Sequence, residues 1–324
     1  MDIEAVYGMV SEDLQTVERE IIRNIQSDVS LIPTIGKYIL DSGGKRFRPL
    51  ILILSARACG YTGKATIDLA CILEFIHTAT LLHDDVVDDA KLRRGNHSAN
   101  AIWGNQASIL IGDFFFAQSF SLISQTQNWR LLGVLTDATT KLAKGEILDL
   151  VKERDFGCTE DDYLALVTHK TASLIEAASH VGAILGGVER ERELAMKQYG
   201  YNIGVAYQYM DDTLDYVATE AEFGKTIGKD LSEGKITLPL IHTLQNSTHK
   251  DRELIISTLE NEESTEQELA TVVELIKRYQ GLEYSMEKAR SHSRAAKQVL
   301  EGLTASPEKQ ALLAVADYVV SRRR

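Results

Sequence analysis

Two clusters of aspartates are the residues of this chain best placed to do chemistry. Asp84-Asp85-Val86-Val87-Asp88-Asp89 and Asp211-Asp212-Thr213-Leu214-Asp215 share the spacing DDxxD and begin 127 residues apart. On a helix the first and last aspartates of such a motif lie one turn apart on one face, with the second beside them. Like charges so arranged repel and weigh against the helix. A single cluster reads equally well as a solvated acidic end. Two copies, each closing an apolar helical stretch, point instead to hard divalent cations, which take oxygen ligands and offset the repulsion. If the two helices face each other, the carboxylates form the walls of one cavity. Magnesium favours few carboxylates, with water and phosphate oxygens completing its shell, so the implied ligand is a diphosphate carried on Mg2+. The candidate ligands are Asp84, Asp85, Asp88, Asp211, Asp212 and Asp215.

The cations are grouped as well. Gly43-Gly44-Lys45-Arg46-Phe47-Arg48-Pro49 joins flexible backbone to three positive charges just before an apolar helix, and Arg93-Arg94-Gly95 follows the first acidic cluster. His77 precedes Asp84 by seven residues, two turns up the same face. Lys170-Thr171, Lys225 and Lys235 add donors. Arginine forks suit diphosphate oxygens, and glycine lets backbone N–H groups approach them. The pattern is not a phosphate-binding Walker loop, because GxxxxGK followed by Ser or Thr is absent. Alone, any of these pairs would be an exposed salt-bridging face, and His77 a core histidine. Together, a metal-free cationic pocket and a carboxylate–metal pocket imply two diphosphates held in different ways.

These groups need a scaffold, and the rest of the sequence describes a helical one. Only four prolines interrupt 324 residues, and apolar side chains return at three- and four-residue steps, as in Leu69, Leu73, Ile76 and Thr80. Ser306-Pro307 reads as an N-cap followed by proline at the first helical position, Ser264-Thr265-Glu266-Gln267 as a capping box, and Thr159 as a cap. Strand-like alternation is scarce. Helices over about 66–83 and about 107–124 are apolar around most of their circumference, which predicts central burial. No linker, low-complexity tract or repeat divides the chain, so the expectation is all-α: one domain, residues 1–324, of about a dozen helices.

Bulk properties narrow the partners. A formal charge of −12 argues against nucleic acid or an anionic membrane as the main partner. Three scattered cysteines form no framework and suit a reducing compartment, with Cys71 read as a small buried hydrophobe. The N-terminus lacks the basic start and apolar stretch of a signal peptide, and no run approaches the roughly 20 apolar residues of a membrane span. The expected location is the cytoplasm.

At this point the chain resembles the trans-prenyl diphosphate synthases, specifically their polyprenyl, octaprenyl-type branch. The resemblance rests on GGKRFRP at 43–49, LLHDDVVDDAKLRRG at 81–95, YQYMDDTLDY at 207–216 and GKTIGKDLSEGKITLPLI at 224–241, in that order. It implies the isoprenoid synthase fold, a helical bundle around a deep central cavity, usually homodimeric. It implies that Lys45, Arg48, His77 and Arg94 bind isopentenyl diphosphate. Asp84, Asp88 and Asp211 would carry three magnesium ions with the allylic diphosphate, farnesyl diphosphate being the expected primer. Arg93, Lys170, Thr171, Gln208, Lys225 and Lys235 would steady that diphosphate and the developing cation. Thr226 stands where many members carry proline, a mild departure in a loop. The resemblance also implies that released pyrophosphate takes the final proton.

Product length should follow from the helix before Asp84. Ala79 and Thr80 are small where short-product relatives carry bulky aromatics, and Ile76 and Ile72 continue the stripe. From Asp84 back to about Lys64 a helix spans roughly 30 Å, room for roughly six to eight isoprene units at about 4–5 Å each. Phe114, Phe115, Phe116 and Phe120 are either the floor or ordinary core. The sequence thus favours a long product, plausible as a quinone side chain. The competing readings are a farnesyl or geranylgeranyl synthase, a non-catalytic subunit of a heteromeric synthase, and a terpene cyclase. Two intact aspartate motifs weigh against the second, and a second diphosphate pocket against the third. The tail Ser321-Arg322-Arg323-Arg324 reads equally as a frayed end or as a closure over the diphosphate.

Overall fold

Helix signals along the sequence become seventeen helices among the described residues of the computed structural model, which are 1–217, 229–261 and 263–322. Lys225, Thr226, Arg323 and Arg324 lie outside them. The chain divides into two compact units, each built from three stretches: Met1–Thr140, Leu174–Gly200 and Val299–Val315, and Lys141–Ser173, Tyr201–Gln298 and Ala316–Arg324.

The first unit holds α1 (Ile3–Met9), α2 (Ser11–Asn24), α3 (Leu31–Asp41), α4 (Phe47–Ala58), α5 (Ala65–Val87), α6 (Ala99–Trp103) and α7 (Asn105–Gln125). Its core forms where α5 meets α7. Phe75 and Phe115 stack at 5.3 Å between centroids, among buried Ile25, Ile35, Cys71, Ala79 and Ile111. Each such aromatic contributes about 1.5–3 kcal/mol by leaving water. The central burial foreseen for the first apolar helix is realised in α5. It is only half realised in α7, where Ile109, Leu110 and Phe120 are exposed, Leu110 by 66%. Both helices are, by length and composition, long and apolar enough to cross a bilayer, which corrects the expectation that no run approaches that length. In α5 that apolar surface is mostly spent on the core.

A short hairpin follows α5, β1 (Leu92–Arg93) paired antiparallel with β2 (Asn96–His97). Arg94 and Gly95 form its turn at φ 53° and 81°, the left-handed pair that a two-residue turn between twisted strands requires. Arg93 and Arg94 therefore sit on a strand and its turn.

Next come α8 (Trp129–Lys152), α9 (Glu160–Val167), a π-helical turn (Thr168–Ala172), α10 (Ser173–Gly186), α11 (Arg190–Asp215), α12 (Lys229–Ser232), α13 (Leu238–Asn246), α14 (His249–Glu260), α15 (Glu266–Arg278), α16 (Gly281–Val299) and α17 (Pro307–Ser321). The second unit packs Tyr163, Val167, Tyr209, Tyr216, Leu240, Ile255 and Ile276 into one core. Three helix starts in this part of the chain fall at or next to caps read from the sequence. Thr159 and Asp162 form a capping box, and Thr265 forms one with Glu268, one residue later than the box read from Ser264. Ser306 Oγ accepts from the Lys309 N–H at 3.1 Å ahead of Pro307.

Candidate active site

The first motif splits its aspartates between two tasks. α5 ends at Val87, with the Asp88 N–H donating to the Asp84 carbonyl at 2.8 Å, so the two residues stand one turn apart. Asp84 is half-buried and Asp88 exposed. Asp85 is only 3% exposed and accepts from Arg93 Nε at 2.7 and 2.9 Å. Asn100 donates to the Asp85 carbonyl at 2.9 Å. Asp85, one of the candidate metal ligands, turns its carboxylate inward here as counter-ion to Arg93. Arg93, read as a diphosphate ligand, is in turn oriented by Asp85.

The basic cluster assembles in the same unit. Burial, and then the charges of Arg48, Arg94, Arg93 and Arg46, hold the His77 imidazole well below its usual pKa, so the ring is neutral. Arg94 reaches the glycine loop and donates to the Gly43 carbonyl, while Tyr7 Oη donates to the Lys45 carbonyl at 2.6 Å. Arg46 differs from its neighbours. It enters α4 with φ 47° and turns its guanidinium onto Glu18 and buried Glu74, at 3.2 and 3.4 Å. Burial pushes the Glu74 carboxyl up, and Arg46, Arg48 and Arg94 draw it down. Of the three cations in the loop, one is thus structural, and Lys45 and Arg48 remain with Arg94 and His77 as the candidate phosphate donors.

In the second unit, Lys170, Thr171, Gln208, Asp212 and Lys235 line one cavity of about 120 Å³, together with Asp149, Tyr163 and Asp230. Lys170 and Thr171 lie on the π-helical turn, a local widening that re-aims side chains and recurs at functional sites. Two glycines fit this turn closely. A Cβ on Gly145 would lie 2.5 Å from the Lys170 nitrogen, and one on Gly204 would lie 2.5 Å from the Ala172 Cα. Lys170 Nζ pairs with Asp149 at 2.6 Å and Glu146 at 2.8 Å. Lys235 Nζ pairs with Glu233 at 2.7 Å.

A chain of hydrogen bonds leads from the π turn to the second motif. Thr171 Oγ1 donates to Gln208 Oε1 at 2.7 Å, Gln208 Nε2 donates to Asp212 Oδ1 at 2.6 Å, and Tyr163 Oη donates to Asp212 Oδ2. Asp212 is buried, and burial with the nearby Asp230 charge pushes its carboxyl well above the usual range. Like Asp85, Asp212 is an inward-facing member of its motif. Asp215 accepts the Asp230 N–H at 3.0 Å. Asp211 is 42% exposed and pairs with Arg322 at 2.7 Å.

Among the described residues, no group of three or more His, Cys, Asp or Glu side chains converges to hold a cation. The exposed donors of the two motifs are carboxylate oxygens, the chemistry that hard cations select. Magnesium supplied with phosphate oxygens fits this set.

Several residues of these sites carried no signal that sequence reading used. Tyr163 and Asp230 act on Asp212 from distant positions. Glu146 and Asp149 stand three apart on one face of α8, a spacing that could have flagged them. Arg322 was part of a tail with two open readings, and the structure buries it.

The polyprenyl synthetase family model matches residues 29–276. The chain belongs to the polyprenyl synthetase family. It is therefore a prenyltransferase that builds polyprenyl diphosphates, and its helices form the isoprenoid synthase fold. Octaprenyl diphosphate synthase of Escherichia coli (strain K12) is 39% identical over 324 residues, covering 100% of both chains. The octaprenyl diphosphate synthase of Haemophilus influenzae is 40% identical, over 99% of this chain and 98% of that one. Among solved structures, polyprenyl synthase from Caulobacter crescentus CB15, complexed with calcium and isoprenyl diphosphate, superposes with a TM-score of 0.95 at 38% identity, covering 100% of this chain and 98% of that one.

Proposed function

We propose that this polyprenyl synthetase adds isopentenyl units head to tail onto farnesyl diphosphate, giving a long, octaprenyl-like diphosphate for quinone side chains. The observation that carries the reading is the cavity where Lys170, Thr171, Gln208, Asp212 and Lys235 meet. It sets cationic donors beside an aspartate motif, the arrangement that leaving-group chemistry on a diphosphate needs. The full-length similarity to two octaprenyl synthases supports the long product. So do small Ala79 and Thr80, with aliphatic Ile76 and Ile72 behind them.

In this reading Lys45, Arg48, His77 and Arg94 bind isopentenyl diphosphate. The neutral His77 ring offers one N–H donor, and the arginines supply the charge. Asp84, Asp88 and Asp211, with Asp215, hold the cations, three Mg2+ in number. Bound there, magnesium withdraws charge from the allylic diphosphate as it leaves. Lys170 and Lys235 meet the same charge from the protein side, and Lys225 is assigned to that task from the sequence motif. Thr171 and Gln208 hold the π turn and the second motif in register, and Arg93, fixed by Asp85, stands beside the first. Water exclusion strengthens each of these contacts.

The whole chain, residues 1–324, acts as one synthase domain in this proposal, in the cytoplasm and as a homodimer. The exposed apolar residues Ile109, Leu110 and Phe120 on α7 support an α7-centred pairing of two copies. The test is incubation with labelled isopentenyl diphosphate, farnesyl diphosphate and magnesium, followed by chain-length analysis. A ladder ending near eight units is expected. Products stopping at four units, or elongation of a shorter allylic primer but not of farnesyl diphosphate, would move the assignment to a short-chain synthase. No elongation with any primer would favour a non-catalytic subunit.

A further inference from the structure

Arg322 lies one residue beyond the end of α17 and is almost fully enclosed, its side chain 2% exposed. The helix that delivers it is pinned in the second unit, where Ser293 Oγ donates to the Ala316 carbonyl at 2.7 Å and Lys297 pairs with Asp317 at 2.7 Å. A buried guanidinium costs several kcal/mol unless its charge and donors are met. Here three groups of α11 meet them. Arg322 Nη2 donates to the Tyr207 carbonyl at 2.6 Å and pairs with Asp211 Oδ1 at 2.7 Å, and the guanidinium carbon sits 3.8 Å from the centre of the Tyr207 ring.

Asp211 is the leading aspartate of the second motif, so its counter-ion before any cation binds is a cation of the chain itself. A divalent ion arriving at Asp211 meets a positive charge already on that carboxylate. The two like charges repel strongly at such separation in a site partly shielded from water.

We propose that Arg322 is the resident counter-ion of the second aspartate motif, holding Asp211 in place until a divalent cation arriving with the diphosphate displaces it. The proposal rests on the reading of Asp211 as a cation ligand. The printed partners of the Arg322 side chain lie on α11 and at the end of α17, so its release is local to those two segments. By linkage, whatever cation loading costs the Arg322–Asp211 pair, the pair costs cation loading in equal measure.

The test uses the full chain with magnesium chloride and inorganic pyrophosphate, and reads binding rather than turnover. Calorimetric titration should show Arg322→Gln taking up magnesium with pyrophosphate about fivefold more tightly than the unsubstituted chain, and Arg322→Lys falling between them. In the unsubstituted chain, hydrogen exchange at the Val319–Arg322 amides should quicken on loading, as the Arg322 side chain leaves α11. Equal affinity in Arg322→Gln, or amides equally or better protected after loading, overturns the proposal while leaving the cation reading intact. If the unsubstituted chain takes up no magnesium with pyrophosphate, the cation reading itself fails and the proposal falls with it.

Discussion

Asp85 turns both carboxylate oxygens toward Arg93 Nε, at 2.7 and 2.9 Å, across the eight residues that carry the chain from α5 into the β1–β2 hairpin. Asp212 has the same place in its own motif and is likewise buried, held by Tyr163 and Gln208. In both motifs the second aspartate secures the scaffold, and the first and last remain on the outer side. DDxxD is thus two kinds of carboxylate in one string.

That division predicts opposite phenotypes within one motif. Arg93→Leu strands the buried Asp85 charge and should cost about 3 kcal/mol of stability, read as a lowered midpoint in urea. Asp88→Asn, at an exposed position, should leave stability within about 0.5 kcal/mol. It should instead lower magnesium-dependent turnover by about a hundredfold or more. Equal stability losses in the two variants would erase the distinction.

The π turn gives a second prediction. A methyl on Gly145 would meet the Lys170 backbone at 2.5 and 2.7 Å and the His169 carbonyl carbon at 2.9 Å, and backbone cannot swing aside as a side-chain tip does. Gly145→Ala should therefore shift Lys170 and Thr171 and lower kcat about tenfold or more, at a stability cost of about 1–3 kcal/mol. Gly133→Ala on the same helix meets nothing within 4 Å and serves as the control, with unchanged kcat and up to about 1 kcal/mol of added stability. Matching kcat values in the two variants would detach the turn from catalysis.

The helices, their caps and the two charged constellations were legible because each rests on local chemistry: a period, a cap, a run of like charges. What was not legible depends on which way a side chain faces once the chain has folded. Asp84 and Asp85 are identical in type and adjacent in sequence, and only the hairpin bearing Arg93 separates them. Arg46 and Arg48 look alike in GGKRFRP, yet Glu74, a turn before His77, claims the first. The π turn left no trace in periodicity, since one wide turn between α9 and α10 only shifts the phase of an otherwise helical pattern. Arg322 gained its meaning from Tyr207 and Asp211, more than a hundred positions away.

Chain length supplies a third prediction, refined by how α5 packs. Ala79 shares a stripe with Cys71 and Phe75 in the core around Phe115, whereas Ile72, Ile76 and Thr80, also buried, fall on the adjacent stripe. Ala79→Tyr should shorten the product and also lose about 1–3 kcal/mol, because it overfills a packed core. Thr80→Tyr should shorten the product as well. Product ladders from the two variants, run beside urea melts, separate the effects. An unchanged ladder in both would remove this helix from the control of product length.

His77 gives the last prediction, through pH. Its imidazole is held well below the usual value by burial and by the charges of Arg48, Arg94, Arg93 and Arg46. Three of these arginines, Arg46, Arg48 and Arg94, also draw down the Glu74 carboxyl, one turn away on α5. In the unfolded chain a histidine titrates near about 6.5. Between these two values the unfolded state binds the extra proton, so stability is fully present above about pH 6.5 and falls as the solution is acidified. Going from about pH 7.5 to 5.5, this one group should remove about 1 kcal/mol. His180, His242 and His292 are shifted the same way and add their own losses, but they are common to any variant at position 77. His77→Gln should therefore lose about 1 kcal/mol less than the unsubstituted chain over that interval, measured by urea denaturation at each pH. Parallel pH profiles would mean that His77 is protonated in the folded protein despite its four arginines, and its assigned role as a neutral donor would have to be withdrawn.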